Sequence, residues 1–179
     1  MTAGGRAASQ RVFFASWPDE TTRAALKAAA GPRLPRAGRA VPAENLHLTL
    51  VFLGNATAAQ VERLAAIGAA LAWPAVDVPL DRLDWWPRAR VVVAAASTPP
   101  PALLALRAQL HGQLSAAGFR VEAHPFRPHV TLARDAPALP RTTLAPPVAW
   151  PLGELALIAS EAAPGASRYR PLARWPAGA

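Results

Sequence analysis

The sequence contains no cysteine in its 179 residues. This absence excludes disulfide bonds, thiolate catalysis and cysteine-based zinc sites, and it fits a reducing compartment. No stretch approaches about 18 apolar residues without a charge or a proline, the length that a membrane-spanning helix needs. Residues 1–10 contain no apolar segment that could serve as the core of a signal peptide. We therefore expect a soluble, cytoplasmic protein with no membrane span.

Acidic residues are scarce: 11 Asp and Glu stand against 19 Lys and Arg, of which only Lys27 is lysine. The formal net charge is +8. An arginine-rich surface attracts polyanions, because the planar guanidinium group matches phosphate oxygens. Two explanations of this charge are equally good: nucleic-acid or nucleotide binding, and a genome bias toward Ala, Arg and Pro. The hydrophobic content of 52% excludes an intrinsically disordered chain.

The chain also lacks the short motifs of several large enzyme classes. No glycine-rich sequence follows a predicted strand, so the G-x-G-x-x-G and P-loop signatures are absent. The G-x-S-x-G motif of the α/β-hydrolases is absent too.

Hydrophobic periodicity, together with proline and glycine positions, predicts the element order β-α-β-α-β-β-α-β-β-β. Pro79 indicates that its strand lies at a sheet edge, and a proline-rich loop is predicted before Pro151. Hairpin-linked strands with few helices favour an α+β fold with antiparallel sheets. We expect a flexible segment at residues 1–9 and a single domain at residues 10–176. The predicted helices are residues 19–31, 57–72 and 100–118, and the predicted strands are residues 11–18, 46–53, 76–86, 90–96, 126–134, 152–162 and 167–176.

Two strands carry the same pattern of histidine and threonine, HLTL from His47 and HVTL from His129. Residues i and i+2 of a strand project from the same face. His47 therefore shares a face with Thr49, and His129 shares a face with Thr131. The apolar residues between them point to the opposite face. The repetition suggests two similar lobes, each presenting its polar face to a shared cleft.

Several kinds of chemistry use histidines and hydroxyls. A metal site is one, but zinc usually takes three or four ligands, and neither motif has an adjacent carboxylate or a third histidine. Paired acid-base catalysis is another, in which one imidazole accepts a proton and the other donates one. Histidine suits both roles because its ordinary pKa, about 6.5, lies near neutrality. The threonine hydroxyls would then bind anionic oxygens, an arrangement that suits a phosphodiester without requiring a metal.

The sequence resembles a known family in four segments: RVFFA, VPAENLHLTLVFLG, PFRPHVTLAR and RYRPLARW. The family is that of the bacterial RNA 2′,3′-cyclic phosphodiesterases, often called 2′-5′ RNA ligases, within the 2H phosphoesterase superfamily. The resemblance spans residues 11–175 approximately. It implies a bilobal α+β fold with a pseudo-two-fold axis, two antiparallel sheets facing a central cleft, and helices on the outside. It also implies hydrolysis of a terminal RNA 2′,3′-cyclic phosphate to a 2′-phosphate, with reversible 2′-5′ joining.

The resemblance assigns a role to each motif residue. His129 would be the proton acceptor that activates water, and His47 the proton donor to the departing O3′. Thr49 and Thr131 would hold the phosphate oxygens. Arg134 would lie near the phosphate or on the terminal base, although its odd offset from Thr131 places it on the opposite strand face or at the strand end.

Aromatic residues and arginines supply further candidates. Phe13 and Phe14 must point to opposite faces, and we expect Phe14 to be the platform on which a base stacks. No cofactor or metal is implied, the expected partners are RNA ends or nucleotides with a 2′,3′-cyclic phosphate, and we expect a monomer. The alternatives are a phosphodiesterase for 2′-5′-linked oligonucleotides or small cyclic phosphates, and a non-catalytic RNA-binding module. The candidate arginines for an RNA backbone are Arg33, Arg36, Arg39, Arg88, Arg90 and Arg127.

Overall fold

The computed structural model describes residues 9–36, 38–122, 124–163 and 166–178. The flexible segment expected at residues 1–9 lies outside them, apart from Ser9, which begins the first strand. The strands are β1 (Ser9–Ser16), β2 (Arg39–Ala40), β3 (Leu48–Thr57), β4 (Val76–Trp86), β5 (Val91–Ala95), β6 (His129–Arg134), β7 (Thr142–Leu152), β8 (Glu154–Ala163) and β9 (Ala166–Pro176). The helices are α1 (Glu20–Ala30), α2 (Ala58–Ala69) and α3 (Pro101–Ala116), and short 3₁₀ turns cover Gly31–Arg33 and Ala43–Asn45.

Capping interactions and helix-ending residues mark the ends of the helices. The Asp19 carboxylate accepts a hydrogen bond from the Thr22 amide at the start of α1, and Thr57 and Gln60 form a reciprocal capping box at α2. Helix α3 begins with proline, and Gly118 follows it with φ +80°, a conformation that favours glycine. None of the described helices is long and apolar enough to cross a bilayer.

The strands form one antiparallel sheet in the order β7-β4-β5-β6-β3-β1-β8-β9, and β2 pairs with β6. The halves β7-β4-β5-β6 and β3-β1-β8-β9 meet at a single pair of partners, Leu48 and Val130. The α+β class and the antiparallel pairing are confirmed. The two sheets implied by the resemblance correspond to these halves, which remain hydrogen-bonded through that one pair.

All three helices pack on the same face of the sheet. Leu26 of α1, Leu64 of α2 and Leu110 of α3 belong to one core cluster that also includes Leu48 and Val130 of the central strands. Burial of these side chains is the main stabilising contribution to such a core. None of the described helices therefore covers the opposite face of the sheet, and the histidine-threonine pairs project from that face.

Among the described strands, only one neighbours Pro79. In the sheet order β4 lies between β5 and β7, but β5 pairs only with residues 82–86 of β4, so the stretch around Pro79 pairs with β7 alone, with Pro79 opposite Ala149. The expected edge position therefore holds for Pro79 itself, although not for the whole of β4. The second expectation about proline was wrong: the segment expected to be a proline-rich loop before Pro151 contains β7, one of the two edge strands. An edge strand tolerates proline because its outer backbone groups have no partner strand to bond. The two-residue strand β2 was also not expected.

Candidate functional site

The two histidine motifs are brought together by the pair that joins the halves of the sheet. Leu48 and Val130 are partners in antiparallel strands, so the chain runs in opposite directions on either side of them. His47 therefore lies on the same side of this pair as Thr131, and Thr49 lies on the same side as His129. Each imidazole thus has the hydroxyl of the other motif as its cross-strand neighbour.

Both imidazoles are held by the same local hydrogen bond. Nδ1 of His47 lies 2.7 Å from the carbonyl oxygen of Asn45, and Nδ1 of His129 lies 2.7 Å from that of Arg127. A carbonyl only accepts, so Nδ1 carries the hydrogen in both rings. In the neutral ring this leaves Nε2 as a proton acceptor, and in the charged ring Nε2 is a donor. The two rings can therefore exchange protons with a bound group through equivalent atoms.

Burial favours the neutral form of both imidazoles in the free protein. The pKa of His47 falls from 6.5 to about 4, chiefly because of burial; the hydrogen bond to Asn45 opposes the change, and the charges of Arg134 and His129 contribute to it. Burial also lowers the pKa of His129, and the positive charge of Arg134 acts in the same direction. A bound anion between the rings would offset these effects, since a negative charge favours the imidazolium form.

Arg134 reaches the site because of a β-bulge. Along the β5–β6 pair, Val93 is opposite Thr131 and Val92 is opposite Ala133, so Leu132 is the extra residue. A bulge of this kind shifts the alternation of side chains by one position. Arg134 therefore returns to the face that carries Thr131. The odd spacing between Thr131 and Arg134 predicted that Arg134 lies on the opposite face or at the strand end. The bulge explains why Arg134 lies on the face of Thr131 despite this spacing, and Arg134 is indeed the last residue of β6.

The first motif contains the matching bulge. Along the β1–β3 pair, Ala15 is opposite Thr49 and Phe14 is opposite Val51, so Leu50 is the extra residue. The side chain of Phe52, three residues after Thr49, consequently projects from the same face as Thr49. Arg134 is related to Thr131 in the same way. Phe52 is 43% exposed, unusual for a phenylalanine. Sequence reasoning missed Phe52, although the shared spacing H-x-T-x-x-F and H-x-T-x-x-R was a usable signal.

A cavity of about 720 Å³ opens beside His47 on this face. Among the described residues that line it, three are arginines and none is an acid. One of these arginines, Arg39, forms an ion pair with Asp135 at 2.9 Å. The cavity therefore attracts anions. Its charged and polar lining consists of Arg11, Arg39, Asn45, His47, Thr131, Arg134, Ser160, Ser167 and Tyr169, and its aromatic lining includes Phe13 and Phe52.

Aromatic rings surround His47 on several sides. Trp17 stacks on it at a centroid distance of 5.0 Å, Tyr169 meets it edge-on at 4.9 Å, and Phe13 lies at 5.3 Å. His129 has Trp86 at 4.3 Å. These rings fix the imidazoles and exclude water from them, which accounts for the lowered pKa values. Sequence reasoning did not assign Trp17 or Tyr169 to the site.

Phe14 is not the stacking platform that the sequence predicted. Its side chain is fully buried in the core beside the helices and packs against Trp175 at 6.0 Å. Phe13 takes the cleft face instead, because neighbouring residues of β1 alternate. It is itself only 1% exposed, beneath His47 and Phe52. The exposed ring in this region is that of Phe52.

The arginines predicted to follow an RNA backbone are not gathered at one place. Of the six, only Arg39 lines the cavity beside His47. Arg33 donates to the carbonyl oxygen of Ala29 and lines a second cavity beside α1. Arg88 and Arg90 lie in the turn between β4 and β5. Within the part of the chain that the structure describes, no three His, Cys, Asp or Glu side chains are grouped closely enough to hold a metal ion.

Several known proteins have sequences and structures similar to those of this chain. The 2′-5′ RNA ligase superfamily matches residues 18–164. An Escherichia coli K12 protein named RNA 2′,3′-cyclic phosphodiesterase is 38% identical over 170 residues, covering 93% of this chain and 96% of the relative. A Thermus thermophilus protein of the same name is 34% identical over 181 residues, covering 92% of this chain and 89% of the relative.

Solved structures also match this chain in fold and in sequence. The crystal structure of E. coli LigT complexed with 3′-AMP matches with a TM-score of 0.86 and 35% identity, covering 95% of this chain and 99% of that one. The crystal structure of TT0787 of Thermus thermophilus matches with a TM-score of 0.78 and 30% identity, covering 93% of this chain and 97% of that one. The fold, the paired motifs and these matches lead to one conclusion: the chain belongs to the 2′-5′ RNA ligase superfamily.

Proposed function

We propose that this protein hydrolyses the 2′,3′-cyclic phosphate at the end of an RNA strand to a 2′-phosphate, by acid-base catalysis between His47 and His129. The observation that carries the proposal is the matched pair of imidazoles on the helix-free face, each fixed through Nδ1 to a backbone carbonyl. Paired acid and base groups of this kind are what in-line displacement at a phosphodiester requires. The named activity of the two curated relatives supports the choice of substrate.

The proposed reaction needs one proton acceptor and one donor. Nε2 of His129 takes a proton from water as the water oxygen bonds to phosphorus. The bond between phosphorus and O3′ breaks, and Nε2 of His47 donates a proton to O3′. The products are a free 3′-hydroxyl and a 2′-phosphate, with both imidazoles returned to their starting forms by proton exchange. No metal ion or cofactor takes part in this scheme.

The remaining motif residues stabilise charge in this proposal. The hydroxyls of Thr49 and Thr131 donate to the non-bridging phosphate oxygens, and the guanidinium of Arg134 balances the negative charge. Phe52, exposed at the matching position of the other motif, provides the surface on which the terminal base stacks. The anion also raises the pKa of the imidazoles, because it favours their charged forms.

The same site supports 2′-5′ joining of RNA ends. If the 5′-hydroxyl of a second RNA takes the place of water, His129 accepts its proton as its oxygen bonds to phosphorus, the bond between phosphorus and O3′ breaks, and His47 donates a proton to O3′. In the reverse cleavage of the 2′-5′ linkage the 3′-hydroxyl attacks phosphorus, and the roles of the two histidines are exchanged. Both motifs and the cavity beside His47 lie in one chain, which supports a monomer with residues 10–176 as a single catalytic domain. An RNA substrate and the absence of cysteine favour action in the cytoplasm.

The test is turnover of a short RNA that ends in a 2′,3′-cyclic phosphate, measured with and without EDTA. We expect hydrolysis under both conditions and a 2′-phosphate product, identified by its resistance to a 3′-phosphatase and by mass. A cyclic end that persists would contradict the proposed activity. A 3′-phosphate product would contradict the assignment of O3′ as the leaving oxygen.

A further inference from the structure

We propose that Arg11 binds the phosphate on the 5′ side of the terminal nucleotide, so that the protein selects an RNA strand over a free cyclic nucleoside phosphate. This inference rests on the proposed function and adds a second phosphate site to it. The first observation is the extent of the cavity. It runs from His47 across β1, β8 and β9, and its far lining includes Arg11, Ser160 and Ser167.

Strand alternation places Arg11 on the cleft face. Arg11 and Phe13 are two residues apart in β1, which pairs with β8 without a register shift. Arg11 is opposite Ser160, and Ser160 is opposite Tyr169 in β9. Directly opposed residues of neighbouring strands project from the same side of the sheet. Arg11, Ser160 and Tyr169 therefore form one row on the face where Tyr169 contacts His47.

The intervening residues confirm this alternation. Arg170 donates to Glu161 at 3.2 Å and to Gln10 at 3.0 Å, and all three side chains project from the other face. The carboxylate of Glu161 is consequently engaged away from Arg11. Arg11 has no hydrogen-bond or ion-pair partner among the described residues, it is exposed, and no carboxylate is among the described residues lining its cavity. Its guanidinium is available to an external anion.

The separation between Arg11 and the reaction centre suits a neighbouring phosphate. Two residues of a strand span roughly 6.6 Å, and Phe13, which lies that far from Arg11, has its ring 5.3 Å from His47. A terminal nucleotide whose cyclic phosphate lies between the histidines and whose base lies against Phe52 would direct its 5′ oxygen along this row. An arginine fork with nearby serine hydroxyls is well suited to phosphate oxygens.

The experiment compares two substrates that differ only at the 5′ position: adenosine 2′,3′-cyclic phosphate and its 5′-phosphorylated form. For the wild-type protein we expect kcat/KM to be about tenfold higher with the 5′-phosphate. In Arg11→Gln this ratio should fall to about one. Arg168→Gln is the matched control, because Arg168 is exposed on the opposite face of β9 and carries the same charge; it should keep the wild-type ratio.

A dinucleotide with a cyclic end extends the test. The natural phosphodiester linkage should be preferred over a neutral methylphosphonate linkage by wild type, and not by Arg11→Gln. The role of Arg11 would be overturned, and the proposed function left intact, by either of two results. One is a ratio of the two kcat/KM values that stays unchanged in Arg11→Gln, which means an equal fractional loss on both substrates. The other is a ratio of one in the wild-type protein. If the wild-type protein cleaves none of these substrates, the proposed function fails, and this inference fails with it.

Discussion

Phe52 and Arg134 occupy equivalent positions in the two halves of the sheet. Each follows the threonine of its motif by three residues, and each is brought to the cleft face by a bulge at the leucine after that threonine. Both line the same cavity. One half thus contributes an exposed aromatic ring and the other a cation, at related positions. This asymmetry gives an otherwise repeated site a direction in which a nucleotide can bind.

Replacement of Phe52 by alanine should weaken substrate binding. Loss of a base-stacking surface costs about 1–3 kcal/mol, so we expect KM to rise roughly 5- to 150-fold with a smaller change in kcat. Phe52→Trp should retain most of the wild-type KM because it preserves a flat aromatic surface. Leu104→Ala is the control, since Leu104 is equally exposed at 43% but lies on α3. Steady-state kinetics on a cyclic-phosphate RNA measures both constants, and an unchanged KM in Phe52→Ala would contradict the stacking role.

The activity should depend on pH in a way set by the two lowered pKa values. Catalysis needs one imidazolium and one neutral imidazole, and both pKa values lie below 6.5 in the free protein. At higher pH both rings are neutral, so kcat/KM should decline above pH 6.5, approaching about tenfold per pH unit. A profile that rises between pH 6.5 and 8 would contradict this expectation.

Arg134→Gln should shift the same profile. The positive charge of Arg134 disfavours both imidazolium forms, so its removal raises both pKa values and moves the alkaline limb to higher pH. The maximal value of kcat/KM should fall as well, because the guanidinium of Arg134 also balances the negative charge of the phosphate. Arg168→Gln serves as the control for loss of one positive charge. An alkaline limb that stays in place in Arg134→Gln would show that Arg134 does not act on the imidazoles.

Gly68 provides a test of the packing beneath the site. A Cβ atom added there would overlap the indole ring of Trp175, which packs on Phe14. Gly68→Ala should therefore lower the free energy of unfolding by about 1–3 kcal/mol, although alanine is the better helix former. Gly112→Ala in α3 is the matched control, because a Cβ atom there meets nothing within 4 Å; it should be neutral or stabilising. Urea unfolding measures both, and equal stabilities of the two variants would contradict this packing.

The histidine-threonine pairs could be predicted from the sequence because they need only the alternation of a regular strand and the repetition of a motif. Phe52 and Arg134 could not be placed in that way, since a bulge depends on the register of the neighbouring strand. To decide which of Phe13 and Phe14 faces the cleft, one must know on which side of the sheet the helices pack. Strand β7 was missed because proline usually argues against a strand. Edge strands are the exception, since they tolerate proline.

The individual roles of the histidines can be separated with a modified leaving group. A cyclic substrate with sulfur in place of O3′ releases a thiolate, which needs no proton from the enzyme. With this substrate His47→Gln should recover most of its lost rate, whereas His129→Gln should remain slow because water still needs a base. Recovery in His129→Gln instead would reverse the assignment of donor and acceptor. His111→Gln, a histidine on α3, should behave as wild type with both substrates.

The central claim is that His47 and His129 act as one acid-base pair, and a double-mutant cycle tests it most directly. The measurement is kcat on a cyclic-phosphate RNA for His47→Gln, His129→Gln and the double variant. Each single substitution should lower kcat by roughly 10²- to 10⁴-fold, and the double variant should be hardly slower than the slower single one, because residues that act as a unit are not additive. Near-wild-type kcat in either single variant, or a double variant whose loss is the product of the two single losses, would contradict the account.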